Sequence, residues 1–291
     1  MSEKRMHFSN SIGRSALTRL SMFLIAAVSL ATVEGPLAQE VVRVGGTGTG
    51  TLLIQRLIEP YAKAHPAVQI SAIMPPMGSN GALRALASGA IQIAVVSFPS
   101  VHPAKPEDAG TSNSVSWVRT PFVFTGREVG AETKLTLGQV ADIYSGRAAQ
   151  WPDGKQIRVI TRTDRETDTR VLRGISPQMD EAVSLGLKRT GMPFAENDVD
   201  NQKLLERTPG SFGAIGLGQI LLEQSPLKPA SLDGVLPSPE NLRSGAYRIE
   251  KPLNLVIAKT PSTATLDFVR YLQSPDALKI AGLYGFIPAR R

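Results

Sequence analysis

Between Val41 and Tyr61 the chain changes its hydrophobic period once, across a seven-residue turn of glycine and threonine alone, and that junction limits the possible folds more than any other stretch. Val41-Val42-Arg43-Val44 is β-branched and reads as a strand, whereas Leu52, Leu53, Leu57, Ile58 and Tyr61 recur at helical spacing, with the helix starting near Thr51 and stopping near His65-Pro66. A strand, a turn through Thr47-Gly48-Thr49-Gly50-Thr51 and a helix gather free backbone N–H groups and the positive end of a helix dipole at one point. Such a point attracts anions, and the threonine hydroxyls can add donors. The same glycines would equally serve a tight turn with no ligand. Neither common nucleotide motif fits: the sixth position counted from Gly46 is Thr51, and Gly50 is followed by Thr51-Leu52 where a phosphate loop needs lysine.

The arrangement returns twice. Val68 to Ile73 reads as a strand, Met74-Pro75-Pro76-Met77 as a loop, and Gly78-Ser79-Asn80-Gly81 as a second turn into a helix over Ala82–Ala87. Ser79 or Asn80 either caps that helix or makes a second anion-facing helix start. Ile91 to Val96 is almost wholly apolar, as in a parallel sheet covered on both faces, and it ends at Ser97, on the edge where open α/β sheets hold ligands. The third junction follows the strand Ile157–Thr161, where Arg162 to Thr169 leads into a helix near Arg170. Further helices are expected at Leu137–Tyr144, Pro177–Arg189, Asn201–Glu206, Ser262–Leu272 and Pro275–Leu283, and strands at Val115–Phe124, Gly213–Leu217 and Lys251–Ala258; Pro99 to Ser114 reads as a loop.

Lys4, Arg5, Arg14 and Arg19 precede an apolar run from Leu20 to Leu30 that is short for a bilayer span and ends in small residues. Residues 1–38 therefore read as a secretory signal cleaved after Ala38, with Ala31 as the alternative site. The 291-residue chain carries a formal +7, and removing four basic and two acidic groups of the signal leaves about +5, which suits an anionic ligand without naming one. Basic residues are scattered, so nucleic acid is not an expected partner. With no cysteine, disulfides, thiolate metal sites and cysteine nucleophiles are excluded.

Several motifs occur in a common order: Leu135 to Arg147 with Trp151, Ile157 to Arg162, Thr208 to Gly216, the return strand Lys251-Pro252-Leu253, Phe268 to Pro275, and Gly285 to Pro288. In these the chain resembles the periplasmic phosphate-binding proteins of ABC importers, over nearly all of Val41 to Ala289. The resemblance implies a two-lobed α/β fold of the type II periplasmic-binding-protein kind, each lobe a mixed sheet flanked by helices, with two hinge crossings. Lobe 1 would comprise 39–118 plus 254–291 and lobe 2 would comprise 119–253. It also implies an oxyanion held between the lobes by three loops and one arginine. By position these are Thr47, Gly48, Thr49, Gly50 and Thr51; Ser79, Asn80 and Gly81; Thr167, Asp168 and Thr169; and Arg162, whose other reading is a surface arginine paired with Asp164 or Glu166.

Two departures bear on the ligand. Family members carry Ser-Gly-Thr where this chain has Thr167-Asp168-Thr169, and Asp168 would repel a dianion unless it caps the following helix and points away, or accepts a proton-bearing oxygen. Phosphate binders place an aspartate after the third strand where this chain has Ser97, which donates to a fully ionised anion. Phosphate stays the first expectation, with sulfate, molybdate, tungstate or an organic phosphate as competitors. No catalytic constellation, metal site or cofactor motif is expected; Glu166 and Asp168 read as capping charge, and His65 and His102 sit beside prolines. The function expected is a monomeric periplasmic solute-binding protein serving an ABC permease and ATPase, the alternative being a ligand sensor without a transport role.

Overall fold

Valines at 41, 42 and 44 begin the first strand, β1 (Glu40–Gly46), and in this computed structural model, which describes residues 39–97 and 113–290, it is followed by α1 (Gly48–Ala64), β2 (Val68–Ala72), α2 (Gly78–Ala87) and β3 (Ile93–Val96). β1 lies between β2 and β3 and runs parallel to both, so the carboxyl ends of β1 and β3 open on one edge. The expected export signal and most of the expected loop at 99–114 fall outside the described residues.

β4 (Asn113–Thr125) is the longest strand, and after it come β5 (Lys134–Leu135), α3 (Leu137–Ser145), β6 (Arg158–Val159), α4 (Thr167–Gly174), α5 (Pro177–Gly186), α6 (Asp198–Arg207) and β7 (Ser211–Gly216). Next are α7 (Leu217–Leu222), β8 (Ser231–Leu232), α8 (Pro239–Ser244), β9 (Glu250–Ile257), α9 (Thr263–Leu272), α10 (Pro275–Leu283) and β10 (Ile287–Pro288). One sheet runs in the order β2-β1-β3-β9-β4-β7-β6 with β10 beside β4, while β5 and β8 form a separate pair. The fold is two-lobed and α/β, with helices flanking the sheet. β4 and β9, antiparallel neighbours, cross between the lobes. Trp117 and Val118 of β4 belong to one hydrophobic core with Leu253, Leu255 and Ile257 of β9, whereas Phe122 and Phe124 belong to the other core with Phe212 and Tyr247.

Several expected boundaries move for local reasons. α1 begins three residues before Thr51, because Thr47 caps it by accepting a hydrogen bond from Gly50 N. α2 has Met77 at its cap position with no side-chain cap, so neither Ser79 nor Asn80 caps it. The strand expected at Ile157–Thr161 is only the two residues of β6, pairing with β7 through Arg158 and Val159. α3 keeps its expected start and runs one residue further, to Ser145: Thr136 and Gln139 form a capping box, and Gly146 closes it in the left-handed region at φ 86°. Helices α7 and α8 went unpredicted, each being only six residues long.

The glycines of the first turn allow close packing. A Cβ on Gly46 would lie 2.3 Å from Val95 O, one on Gly50 2.5 Å from Val95 Cγ1, and one on Gly48 2.6 Å from Asp198 Cβ. α1 can therefore seat its first turn directly on β3 and against α6. Gly50→Ala is expected to lower stability by about 1–3 kcal/mol through overpacking, read as a lower urea midpoint at unchanged slope.

Candidate functional site

The N-terminus of α1 is occupied by the chain itself. Thr49 N donates to Asp198 Oδ2 at 3.2 Å, and the Thr49 hydroxyl, which has one proton, lies 2.7 Å from Gln219 Oε1 and 3.3 Å from the same carboxylate oxygen. Gln219 in turn donates through Nε2 to the Asp198 carbonyl at 2.9 Å. Asp198 is the first residue of α6, held there because Asn197 caps that helix through Asp200 N. Its carboxylate thus lies in the positive field of two helix starts.

Two cations complete the surroundings of that carboxylate. Arg162 Nη1 donates to Asp198 Oδ1 at 2.6 Å and to Asp168 Oδ2 at 2.9 Å, while Nη2 donates to Glu166 Oε2 at 2.8 Å. Lys251 Nζ, on the crossing strand β9, lies 2.7 Å from Asp168 Oδ1 and 3.2 Å from Asp198 Oδ2. Arg162, Asp168, Lys251 and Asp198 form a ring of alternating charge, all buried. Unpaired charge would not survive such burial, whereas alternation gives each group two opposite neighbours. Although burial disfavours the charge on Asp198, the Lys251 ammonium and the Arg162 guanidinium hold its carboxyl well below the usual range. Burial likewise works against Lys251, yet Asp168 and Asp198 raise its ammonium above its ordinary value. Glu166 moves the other way, pushed up by burial despite Arg162.

Asp168 is therefore not the outward-pointing cap that was expected. Glu166 takes the cap position of α4 without a side-chain cap bond, and Asp168 turns inward to the two cations. Arg162 is buried too, so the surface reading of that residue fails, although Glu166 is one of its partners.

A cavity of about 290 Å3 adjoins the ring and is lined by Thr47, Gly48, Arg162, Thr167, Asp168 and Asp198, with Glu166, Glu196 and Lys251 also at its wall. A second hollow of about 230 Å3 is lined by Ser79, Asn80, Gly81, Arg84, Arg165 and Thr167. Between them the Ser79 and Thr167 hydroxyls meet at 3.0 Å, Ser79 Oγ also accepts from Ser97 N at 3.0 Å, and Asn80 Nδ2 reaches Arg165 O at 3.4 Å. Gly50 and Thr51 lie inside α1 away from both hollows. The Ser97 hydroxyl is fully buried and has no hydrogen-bond partner among the described residues. Thr169 lines a separate narrow void of about 30 Å3 with Tyr144 and Leu172.

Asp198, Lys251 and Gln219 were absent from the expected site. Asp198 sits in Asn197-Asp198-Val199-Asp200, which reads as helix capping, and nothing local links it to Thr49 at 149 residues' distance. Lys251 did leave a signal: a lysine leading into the largely apolar run Pro252 to Ala258 of an expected strand calls for a partner of opposite charge if that strand is buried.

Replacing Arg162 with Met would leave Glu166, Asp168 and Asp198 facing Lys251 alone, and is expected to cost about 3–5 kcal/mol, measured by denaturant titration. The acid limb of stability follows from Asp198. Its folded pKa is depressed, so its contribution is complete above the unfolded value of about 3.9 and is lost as pH falls below it. Arg162 and Lys251 stay charged there, Asp168 faces the same two cations, and Glu166, shifted the other way, offsets part of the effect just above that range. Asp198→Asn is expected to flatten the loss of stability between roughly pH 4 and 2, read by denaturation at stepped pH.

The sequence model of the PBP superfamily domain matches residues 31–276. Over 85 residues the chain is 29% identical to the phosphate-binding protein PstS 2 of Streptococcus agalactiae, a match covering 29% of this chain and 28% of that relative's length. Its fold is similar to a putative phosphate ABC transporter substrate-binding protein with bound phosphate from Clostridium perfringens (TM-score 0.72, 18% identity, covering 86% of this chain and 100% of that one). It is also similar to the periplasmic molybdate-binding protein of Azotobacter vinelandii (TM-score 0.58, 14% identity, covering 86% and 100%). Because that match spans residues 31–276 of the 291, this chain belongs to the PBP superfamily.

Proposed function

We propose that the protein is an extracytoplasmic solute-binding protein that captures a small oxyanion, phosphate first, between lobes 39–118 plus 254–291 and 119–253, and delivers it to an ABC importer. The observation that carries this reading is the convergence on one interlobe cleft of donors from separate elements: the start of α1, the buried Arg162 and the buried Lys251. Each donor type suits an oxyanion: helix N–H groups and an ammonium supply charge, and a guanidinium fork can grip two oxygens. An ion touching both lobes favours the closed arrangement over the open one, which is how capture becomes a signal to a permease. The phosphate-binding relatives and the molybdate-binding neighbour support the ligand class and leave sulfate, molybdate, tungstate and organic phosphates as competitors. No helix among the described residues is long and apolar enough to cross a membrane.

Calorimetry of ligand-stripped protein with phosphate, sulfate, molybdate, tungstate and a phosphonate tests the proposal. One of these anions is expected to bind, and Arg162→Lys, which keeps the charge but loses the fork, is expected to weaken it about tenfold. Unchanged affinity in that variant would remove Arg162 from the site, and silence across the whole panel at millimolar concentrations would reject oxyanion capture.

A further inference from the structure

The groups that converge on Asp198 are those an incoming oxyanion would need. Its Oδ2 accepts from the backbone N–H of Thr49 at 3.2 Å and faces the Lys251 ammonium at 3.2 Å, and its Oδ1 accepts from Arg162 at 2.6 Å. The carboxylate comes from α6, on the opposite side of the cleft from α1, so the contact joins the two lobes as a bound ion would. Gly48 makes the approach possible, since a Cβ there would lie 2.6 Å from Asp198 Cβ. Beside it lies the cavity of about 290 Å3, bordered by Gly48, Arg162, Asp198 and Lys251, which gives a solute room to arrive and the carboxylate room to leave.

We propose that Asp198 is a tethered occupant of the oxyanion site: its carboxylate holds the lobes closed without solute, and an oxyanion binds only by displacing it from Thr49, Arg162 and Lys251. Asp198 is then the residue that sets affinity and specificity, in addition to the donors themselves. A ligand that must displace an internal competitor loses apparent affinity by the fraction of molecules in which the site is vacant. Weak monoanions gain too little to displace it, so the site favours anions whose charge and number of acceptor oxygens exceed those of one carboxylate. The tethered-occupant proposal rests on the oxyanion reading above for its ligand, but its structural half, closure without solute, does not.

Two measurements on the full mature chain separate these parts. In calorimetry with inorganic phosphate, Asp198→Asn, which keeps the size and removes the charge, is expected to bind at least about tenfold more tightly than the wild type, because Arg162 and Lys251 lose a competitor. In small-angle X-ray scattering, ligand-free wild type is expected to match the scattering profile of this closed structure, and ligand-free Asp198→Asn to have a larger radius of gyration. The wild-type scattering needs no variant: a ligand-free wild type more expanded than this structure overturns the proposal whatever the variant does. Phosphate binding equally well to both proteins also overturns it, while leaving oxyanion capture standing. If neither protein binds phosphate or any other anion of the calorimetric panel, yet the wild type is closed and the variant open, the latch stands and the oxyanion reading falls.

Discussion

A carboxylate seated on the first turn of a helix organises this molecule. Asp198 satisfies the buried N–H of Thr49, and the same carboxylate helps to bury a guanidinium and an ammonium a few ångströms away. Removing charge from water is costly, and the cost is bearable only where each ion has opposite neighbours. Here the neighbours come from distant parts of the chain: Arg162 from beyond β6, Asp168 from α4, Asp198 from α6 and Lys251 from β9. The cluster is small in area, yet it determines where four elements meet.

That arrangement also explains the composition of the glycine-rich turn. The turn looks like a ligand cradle, and one of its glycines, Gly48, does face a cavity. The glycines' immediate neighbours are protein atoms, however: Val95 beside Gly46 and Gly50, and Asp198 beside Gly48. A missing side chain admits whatever approaches, and the approaching group can be another strand or an aspartate as readily as a phosphate. The resemblance to phosphate binders and the seating of Asp198 on Thr49, Arg162 and Lys251 are thus compatible, since such donors suit carboxylate and phosphate oxygens alike.

Much of the fold was legible because its signals are local. The capping box at Thr136, the left-handed Gly146, the prolines opening α5 and α10 and the apolar run of β3 each depend on a few adjacent residues. Arg162 was picked out through the resemblance to phosphate binders, whose arginine falls by position at the end of an expected strand. The charge ring could not be read in this way. Asp168 sits at a helix start, where carboxylates ordinarily face water, and only the folded chain shows it turned toward Lys251. Asp198 carries the ordinary marks of a capped helix, and its meeting with Thr49 is a consequence of tertiary packing that no spacing records. Lys251 was the missed clue, because a charged residue in an apolar strand requires a counter-charge somewhere.

The two strands that pass between the lobes are hydrogen-bonded to each other, with Arg119 opposite Pro252 and Thr120 opposite Lys251, and Arg119 is paired to Glu250 at 2.7 Å. A linker of that kind behaves as a twisted ribbon, far stiffer to bending within its own plane than to rotation about its length. Lys251 is rooted in that ribbon, so any rotation that swings one lobe also turns the amine relative to the two aspartates. A rotation about that ribbon would therefore change the pairing of Lys251 with Asp168 and Asp198 together with the shape of the molecule.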